Sequence, residues 1–399
     1  MKGLGCDIAI IGGGLAGGLI ALALAQRRPD LATWVLEAGE AVGGNHRWSW
    51  FHSDIDANGR QLLAAIDKVT WNEGYAVAFP GHSRILSTPY RSMHSRHLAA
   101  AVAQALPPGA LWTGVAVTRL DEAGATLADG TRIEARTLID CRGLAGSPHL
   151  AGGYQVFMGR HLHLRRPHGL TRPVIMDATV EQAGGYRFVY VLPLGASDIF
   201  VEDTYYQDGP GLDRRALSAR IDAYCAAHGW EGVTVGSETG VLPVITNGDF
   251  AAFQHQNRTP GVAVAGVRGG FVHPLTSYSL PFAVGIAQLV AANADLPGER
   301  LATLLEERAR DHWQATRFYR LLGAMLFGAA RPEERYRVFA RFYRLSERLI
   351  ERFYAARSTP IDCARILLGR PPVPISRAIA ALAGWRPPLA LTAHGEMAR

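Results

Sequence analysis

The apolar positions of this chain change period several times, and each change marks an element. Cys6-Asp7-Ile8-Ala9-Ile10-Ile11 is a short run of β-branched character, the pattern of a buried strand. Apolar residues at helical spacing follow from Leu19 to Arg27. A second apolar strand, Thr33–Leu36, ends on Glu37. The helical period returns over Ser95–Leu106 and stops at Pro107-Pro108-Gly109. Val115–Leu120 and Gly124–Ala135 read as a meander of short strands with a hairpin turn at Asp129-Gly130. It closes on the strand Thr137-Leu138-Ile139, which ends in Asp140-Cys141-Arg142-Gly143. From Tyr154 to Tyr206 the strands lengthen, with Val174–Thr179, Tyr186–Leu194 and Ile199–Tyr206 predicting an antiparallel sheet with one apolar face. Leu212–His228 reads as a helix, Gly240–Val244 as a strand, and Gly261–Ala265 as a buried strand running into Gly266-Val267-Arg268-Gly269-Gly270. A helix is expected from Leu280 to about Asn293. The last hundred residues carry helical signal only, with Pro371-Pro372-Val373-Pro374 closing the ordered part and a loose tail expected after Trp385.

Composition narrows the class. A chain of 399 residues with 48% hydrophobic and 19% charged side chains is a folded protein of two or three domains. It has no run of eighteen apolar residues, so no transmembrane helix is expected. A single Lys precedes the first strand, so no signal peptide is expected and the protein is read as not secreted. Cys6, Cys141, Cys225 and Cys363 are scattered, with no C-x-x-C pair, which argues for a reducing compartment and against structural zinc. The net charge of +6 is uneven: Arg300 to Arg357 holds 13 Lys or Arg against 7 Asp or Glu. That basic segment shows no groove-reading motif, so nucleic acid is not expected as a partner.

The chemistry begins at Gly12-Gly13-Gly14-Leu15-Ala16-Gly17, a G-x-G-x-x-G between the first strand and the first helix. Gly12 allows a tight turn, Gly14 presents no side chain to a pyrophosphate, and Gly17 lets the helix pack close on the sheet. The free amides of the helix N-terminus then face the phosphates. Glu37 lies 20 positions past Gly17, where a carboxylate accepts from a ribose hydroxyl. Gly43-Gly44 would let the backbone pass under a cofactor. Gly266 to His273-Pro274 is a second strand, glycine loop and helix unit.

In order, these segments resemble the FAD-binding flavoproteins of glutathione-reductase type, in the hydroxylase-like and geranylgeranyl-reductase-like branch. The resemblance is closer to the bacterial lycopene β-cyclases. Gly43-Gly44-Asn45-His46-x-Trp48-Ser49, Arg166-Pro167-His168-Gly169-Leu170, Ile175–Val180, Gly185–Tyr190, Glu202-Asp203-Thr204, Pro274-x-Thr276-x-Tyr278-Ser279-Leu280-Pro281, Arg341-Phe342-Tyr343 and Gly369–Pro374 all carry it. It runs from Asp7 to about Ile379. One departure stands out: many flavoproteins of this fold have Gly-Asp at the last cofactor strand, and here the pair is Gly266-Val267.

The resemblance implies an α/β protein. Its Rossmann-like FAD-binding fold would comprise residues 1–150 and 261–295, with an interleaved antiparallel substrate sheet over 151–260. A helical C-terminal region over 296–385 would meet the membrane, followed by a tail over 386–399. It implies FAD bound by Gly12, Gly14, Gly17, Glu37, Gly43, Gly44, Asp140, Gly143, Gly266 and Pro274, active in its reduced form, with NAD(P)H as a visiting electron donor. It implies lycopene and γ-carotene as substrates, whose linear ψ ends become β-ionone rings without net redox change. The alternatives are a flavin-dependent monooxygenase or reductase acting on a polyprenyl substrate, and a carotenoid binder without catalysis.

Cyclisation needs an acid that stays protonated near neutral pH, electron-rich walls and exclusion of water. Glu202 and Asp203 end the apolar run Ile199-Phe200-Val201, where burial would raise a carboxyl's pKa. Neighbours on a strand point to opposite faces, so one of them faces the substrate, and the resemblance favours Glu202. Tyr186, Phe188, Tyr190 and Tyr205 are candidates to line a polyene channel. His168 and His273 are candidate polar site residues. Arg317-Phe318-Tyr319-Arg320, Arg335-Tyr336, Arg341–Arg344 and Arg352-Phe353-Tyr354 suit a peripheral helical surface on the cytoplasmic side of a bacterial membrane, where other enzymes of carotenoid synthesis could be neighbours.

Overall fold

Ile8, Ala9, Ile10 and Ile11 are buried on both faces of their strand, as a continuous apolar run requires at the centre of a parallel sheet. In the computed structural model, which describes residues 4–144 and 146–368 and, beyond them, 376–377, 381 and 388–389, this strand is Leu4–Ile11. It pairs in parallel with Thr33–Leu36 on one side and with Arg132–Asp140 on the other. Arg132–Asp140 serves two partners in succession. Its start pairs antiparallel with Gly124–Leu127 of the meander, and its end pairs in parallel with Val262–Val264. Seven strands form this sheet.

The helix Leu15–Arg27 follows the first strand, and every residue from Leu15 to Leu24 is buried. A helix wrapped on all sides needs apolar residues all round, which explains why its sequence lacks a polar stripe. The helices Ser95–Ala105 and Leu280–Ala292 flank it. A Cβ at Gly18 would lie 3.0 Å from Leu98 Cδ2, so glycine sets that spacing.

A second sheet of eight strands carries most of the antiparallel pairing. Its order is Gly232–Gly248, Ser147–Leu164, Asp198–Gln207, Tyr186–Pro193, Val174–Asp177, Tyr75–Phe79 and His82–Leu86, with Pro388–Leu389 against Ser147–Leu164. Tyr75–Phe79 joins from the first part of the chain and runs parallel to Val174–Asp177. A third, three-stranded sheet holds Arg47–Phe51, Tyr90–His94 and Val69–Trp71. Pro388–Leu389 departs from the loose tail expected after Trp385, and the Gly369–Pro374 motif lies outside the described residues.

The large sheet has two different faces. Val189, Val191, Ile199 and Val201 pack outward against Ile221, Tyr224 and Cys225 of the helix Arg214–Ala227. Tyr186, Phe188, Phe200 and Tyr206 face inward. The C-terminal helices cap that inner face: the ring of Tyr186 stacks on Phe339 at 4.3 Å between centroids. Tyr319, Tyr343, Phe353 and Tyr354 are buried in the same cluster. The aromatic half of the Arg-aromatic pairs is therefore largely core. The arginines divide. Arg335 is 1% exposed, donates to Tyr206 O and Asp208, and lies over the Phe327 ring, whereas Arg317, Arg344, Arg348 and Arg357 are exposed. No helix among the described residues is long and apolar enough to cross a membrane.

Candidate active site

Two groups of residues meet at the Gly43–Arg47 segment, which links the first sheet to the inner face of the large sheet. The first is a cradle. Gly12 has φ +95°, a conformation that strains any residue with a Cβ. A Cβ at Gly17 would lie 2.0 Å from Gly12 O, so the helix can seat on the turn only with glycine there. A Cβ at Gly14 or at Gly143 would meet nothing within 4 Å, so both positions border open space. The helix beginning at Leu15 has no side-chain cap and no acid in its first turn, which leaves its first amides available to an anion. Gly43 N donates to Gly13 O at 2.9 Å, which fixes the Gly43-Gly44 loop beside the turn. Gly266, at φ +65°, brings the second glycine turn against the first helix, where its Cβ would lie 2.9 Å from that of Ala16.

Two acids of the cradle are engaged by the protein itself. Glu37 accepts from Gly13 N and Gly39 N, both at 2.6 Å. Asp140 is 1% exposed and pairs with Arg142 at 2.7 Å and Arg268 at 3.0 Å, so it ties its own strand end to the Gly266 turn. Pro274 O accepts from Ile245 N, which anchors the Pro274–Ser277 loop to the large sheet. In that loop Ser277 has φ 58° and Thr276 Oγ1 is buried without a hydrogen-bond partner. An unpaired buried hydroxyl, open glycine positions and an uncapped helix start fit a bound dinucleotide.

The second group lies on the inner face of the large sheet. Register places Tyr190, Glu202, Gly159 and Glu238 in one row across four strands. Glu202 is 9% exposed and Glu238 7% exposed. Burial pushes Glu202 up to about 7, against a hydrogen bond from Thr204 Oγ1 at 2.7 Å. Burial, with the charge of Glu202, pushes Glu238 up to about 8. The Arg47 guanidinium lies 5.3 Å from the centroid of the Phe200 ring, and its strongest attraction is to Glu238. Asn45 Nδ2 donates to Ser237 O at 2.7 Å, so the loop that borders the cradle also touches the strand carrying Glu238.

A string of hydroxyls runs along this face. Tyr278 and Tyr190 each lie 3.0 Å from the Tyr90 hydroxyl. Tyr190 donates to Ser49 Oγ at 2.7 Å, and Ser49 donates to Ser92 at 3.0 Å. These phenols are held neutral by burial.

Among the expected substrate-facing residues, Glu202, Tyr186, Phe188 and Tyr190 share the inner face. Asp203 and Tyr205 do not. Asp203 is 0% exposed on the outer face, where it pairs with Arg187 at 2.8 Å, and Tyr205 accepts from Arg220 of the outer helix. The expectation that Tyr205 lines a channel with the other three is therefore corrected by strand alternation, since 205 is three positions from 202. His273 is wholly buried and pushed down to about 3, with Nδ1 accepting from Leu275 N and Thr276 N and Nε2 facing Phe353 O. It shapes the Pro274 loop. His168 faces Gly195 O and accepts from Leu170 N, which makes it a turn brace. Sequence reasoning missed Glu238 because the strand was expected to start at Gly240. Extending the alternation back two residues places 238 on the face of 240.

Comparison with known proteins points the same way. Residues 7–380 match the family model described as lycopene cyclase protein. A lycopene beta-cyclase of Pseudescherichia vulneris is 43% identical over 93% of this chain and 96% of its own length. One of a Paracoccus species is 42% identical over 94% and 97%. In fold alone, the chain resembles a geranylgeranyl bacteriochlorophyll reductase-like protein from Thermoplasma acidophilum, with TM-score 0.59 and 13% identity over 95% of this chain and 99% of that one. It likewise resembles a p-nitrophenol 4-monooxygenase from Pseudomonas putida, with TM-score 0.61 and 15% identity over 89% and 99%. A fold of this type, a match from residue 7 to 380 and relatives at 42–43% identity along nearly their whole length establish that this chain belongs to the lycopene cyclase family.

Proposed function

We propose that the chain is a lycopene β-cyclase that closes the linear ψ ends of lycopene to β-ionone rings, giving β-carotene through γ-carotene. The observation that carries this reading is Glu202: a buried carboxyl, pushed up to about 7, on an aromatic sheet face. Such a group is protonated often enough near neutral pH to act as a general acid. It delivers its proton to C2 of the terminal alkene. The tertiary cation at C1 is attacked by the C5=C6 double bond, and loss of the C6 proton from the C5 cation completes the ring. One proton enters and one leaves, so the mass and redox state of the substrate do not change. Tyr190 and Phe188 present π faces to the cation, and burial of the row excludes water that would trap it.

Gly12 to Gly17, Glu37, Gly43, Gly44, Gly143, Gly266 and the Pro274 loop are the residues that would hold FAD, with Asp140 tying its own strand end to the Gly266 turn through Arg142 and Arg268. When bound and kept reduced by NAD(P)H, the FAD would supply a negative, electron-rich ring system that favours a cation. A polyene does not cross water freely, so the protein draws its substrate from a lipid surface. Ile361, Leu367 and Leu368, exposed by 79%, 47% and 68%, with exposed Arg365 on the same helix segment, suit that contact on the cytoplasmic face of a membrane.

The deciding experiment supplies purified protein with lycopene, FAD and NAD(P)H without oxygen. Ring formation at constant substrate mass supports the cyclase. A gain of two hydrogens marks a reductase instead, an oxygen requirement with mass gain marks a monooxygenase, and an unchanged polyene refutes catalysis. Glu202→Gln should lose cyclisation by about 100-fold or more while retaining flavin. A Gln variant with near-normal turnover overturns the acid assignment.

A further inference from the structure

Cyclisation needs a second group, one that removes the C6 proton, and the acid that has just donated is only one candidate. We propose that Glu238 is that group: a carboxylate set across Gly159 from Glu202 that accepts the final proton. This rests on the cyclase reading above and names a residue of the same site.

Glu238 and Glu202 pair with Gly159 from opposite sides, in one row and on one face. Two strand spacings separate their Cα atoms by about 10 Å, a gap that two extended glutamate side chains can flank from either edge. The gap exists because residue 159 has no side chain. Instead the Phe200 ring lies over it, so close that a Cβ at 159 would stand 2.2 Å from Phe200 Cζ. Arg47 lies over that ring. The arrangement is therefore two buried carboxyls flanking an aromatic floor, with one guanidinium above.

Burial raises both carboxyls, so a proton resides on the pair near neutral pH. Two carboxyls this near each other do not both ionise readily, and one arginine neutralises one of them. Arg47 supports the ionised form of Glu238 with its charge and with its backbone N–H. In the reacting form the proton of the pair is on Glu202 and Arg47 holds the Glu238 carboxylate. Glu202 also accepts from Thr204 Oγ1, which leaves its other oxygen to carry the proton. In the reaction, the Glu202 O–H bond breaks as the C2–H bond forms. The C6–H bond then breaks, its electron pair becomes the new C5=C6 double bond, and the proton goes to Glu238. Return of one proton from Glu238 to Glu202 resets the pair, and no oxidant or reductant is consumed.

The test is Glu238→Gln in the FAD-loaded protein with lycopene, reading both substrate consumption and the position of the ring double bond. A C5 cation without its base still has protons at C4 and on the attached methyl group. The expected result is continued consumption with an about 100-fold loss of rings that shed the C6 proton, and products that shed the C4 or methyl proton in their place. Glu202→Gln, by contrast, consumes nothing. Wild-type β-ring formation in Glu238→Gln overturns the proposal. So does a flavin-loaded Glu238→Gln that consumes no lycopene, because that outcome places Glu238 in the donor step. Should Glu238→Gln lose its flavin, Glu238→Asp reads the same point: a base shortened by one methylene should raise the share of C4 or methyl proton loss, and an unchanged product ratio overturns the assignment. Absence of any ring in the wild-type protein would instead sink the cyclase reading itself.

Discussion

At the scale of single residues, the adjacent acids Glu202 and Asp203 divide the work of one strand. Glu202 faces the site with its pKa raised by burial, and Asp203 is spent on Arg187 across the sheet. A donor must be protonated and its partner base ionised, so ring formation should peak between about 7 and 8 and fall by about tenfold per pH unit on either side, in a pH profile. The same shift sets a stability slope. The folded pKa of about 7 exceeds the ordinary 4.5, so this group's stabilising contribution is full below 4.5 and is lost as pH rises through about 7. Glu202→Gln cannot ionise and should therefore melt at a higher temperature than the wild type at pH 8, by differential scanning calorimetry, with little difference at pH 4. The apolar run made the acid pair Glu202 and Asp203 legible in the sequence, and the family resemblance chose Glu202 from it. Arg47 and Tyr90 were not legible, because their importance arises from strands that meet only in three dimensions.

At the scale of elements, glycines decide which readings succeed. The strand, turn, helix and strand at the N-terminus were legible because the spacing of Gly12, Gly14 and Gly17 has one physical explanation. Ser147–Leu164 was not read as one strand of 18 residues, because Gly152, Gly153 and Gly159 look like breaks. Each instead receives a neighbour: Val244 O at Gly152, the Phe327 ring at Gly153 and the Phe200 ring at Gly159. The outer face offers a stability test. Arg187→Met leaves Asp203 buried without its partner and should cost about 3–5 kcal/mol in denaturant unfolding. Adding Asp203→Asn should restore part of that loss, a double-mutant signature of the pair.

At the scale of the molecule, the loop from Gly43 to His46 joins two sheets. It bonds to the first glycine turn at one end and to Ser237 beside Glu238 at the other. No local pattern announces that contact, which spans 192 residues of sequence. The C-terminal helices were legible as helices, but their Arg-aromatic pairs concealed a core: the rings fill the inner face while part of the arginines stays outside. The exposed apolar residues near 361–368 carry the membrane prediction. Wild-type protein should sediment with vesicles containing anionic lipid, and Ile361→Asp with Leu368→Asp should reduce the bound fraction several-fold without changing flavin content.

The phenol string has a direction. Because the Tyr190 hydrogen goes to Ser49, the Tyr90 hydrogen must go to Tyr190 and that of Tyr278 to Tyr90. Deleting the hydroxyl at the upstream end removes a donor and leaves only an idle lone pair. Deleting it at position 190 strands the Tyr90 hydrogen in a dry interior, a loss of about 1–3 kcal/mol. Tyr278→Phe should thus be tolerated and Tyr190→Phe should soften the protein, an inequality between two chemically identical edits that thermal unfolding can read directly.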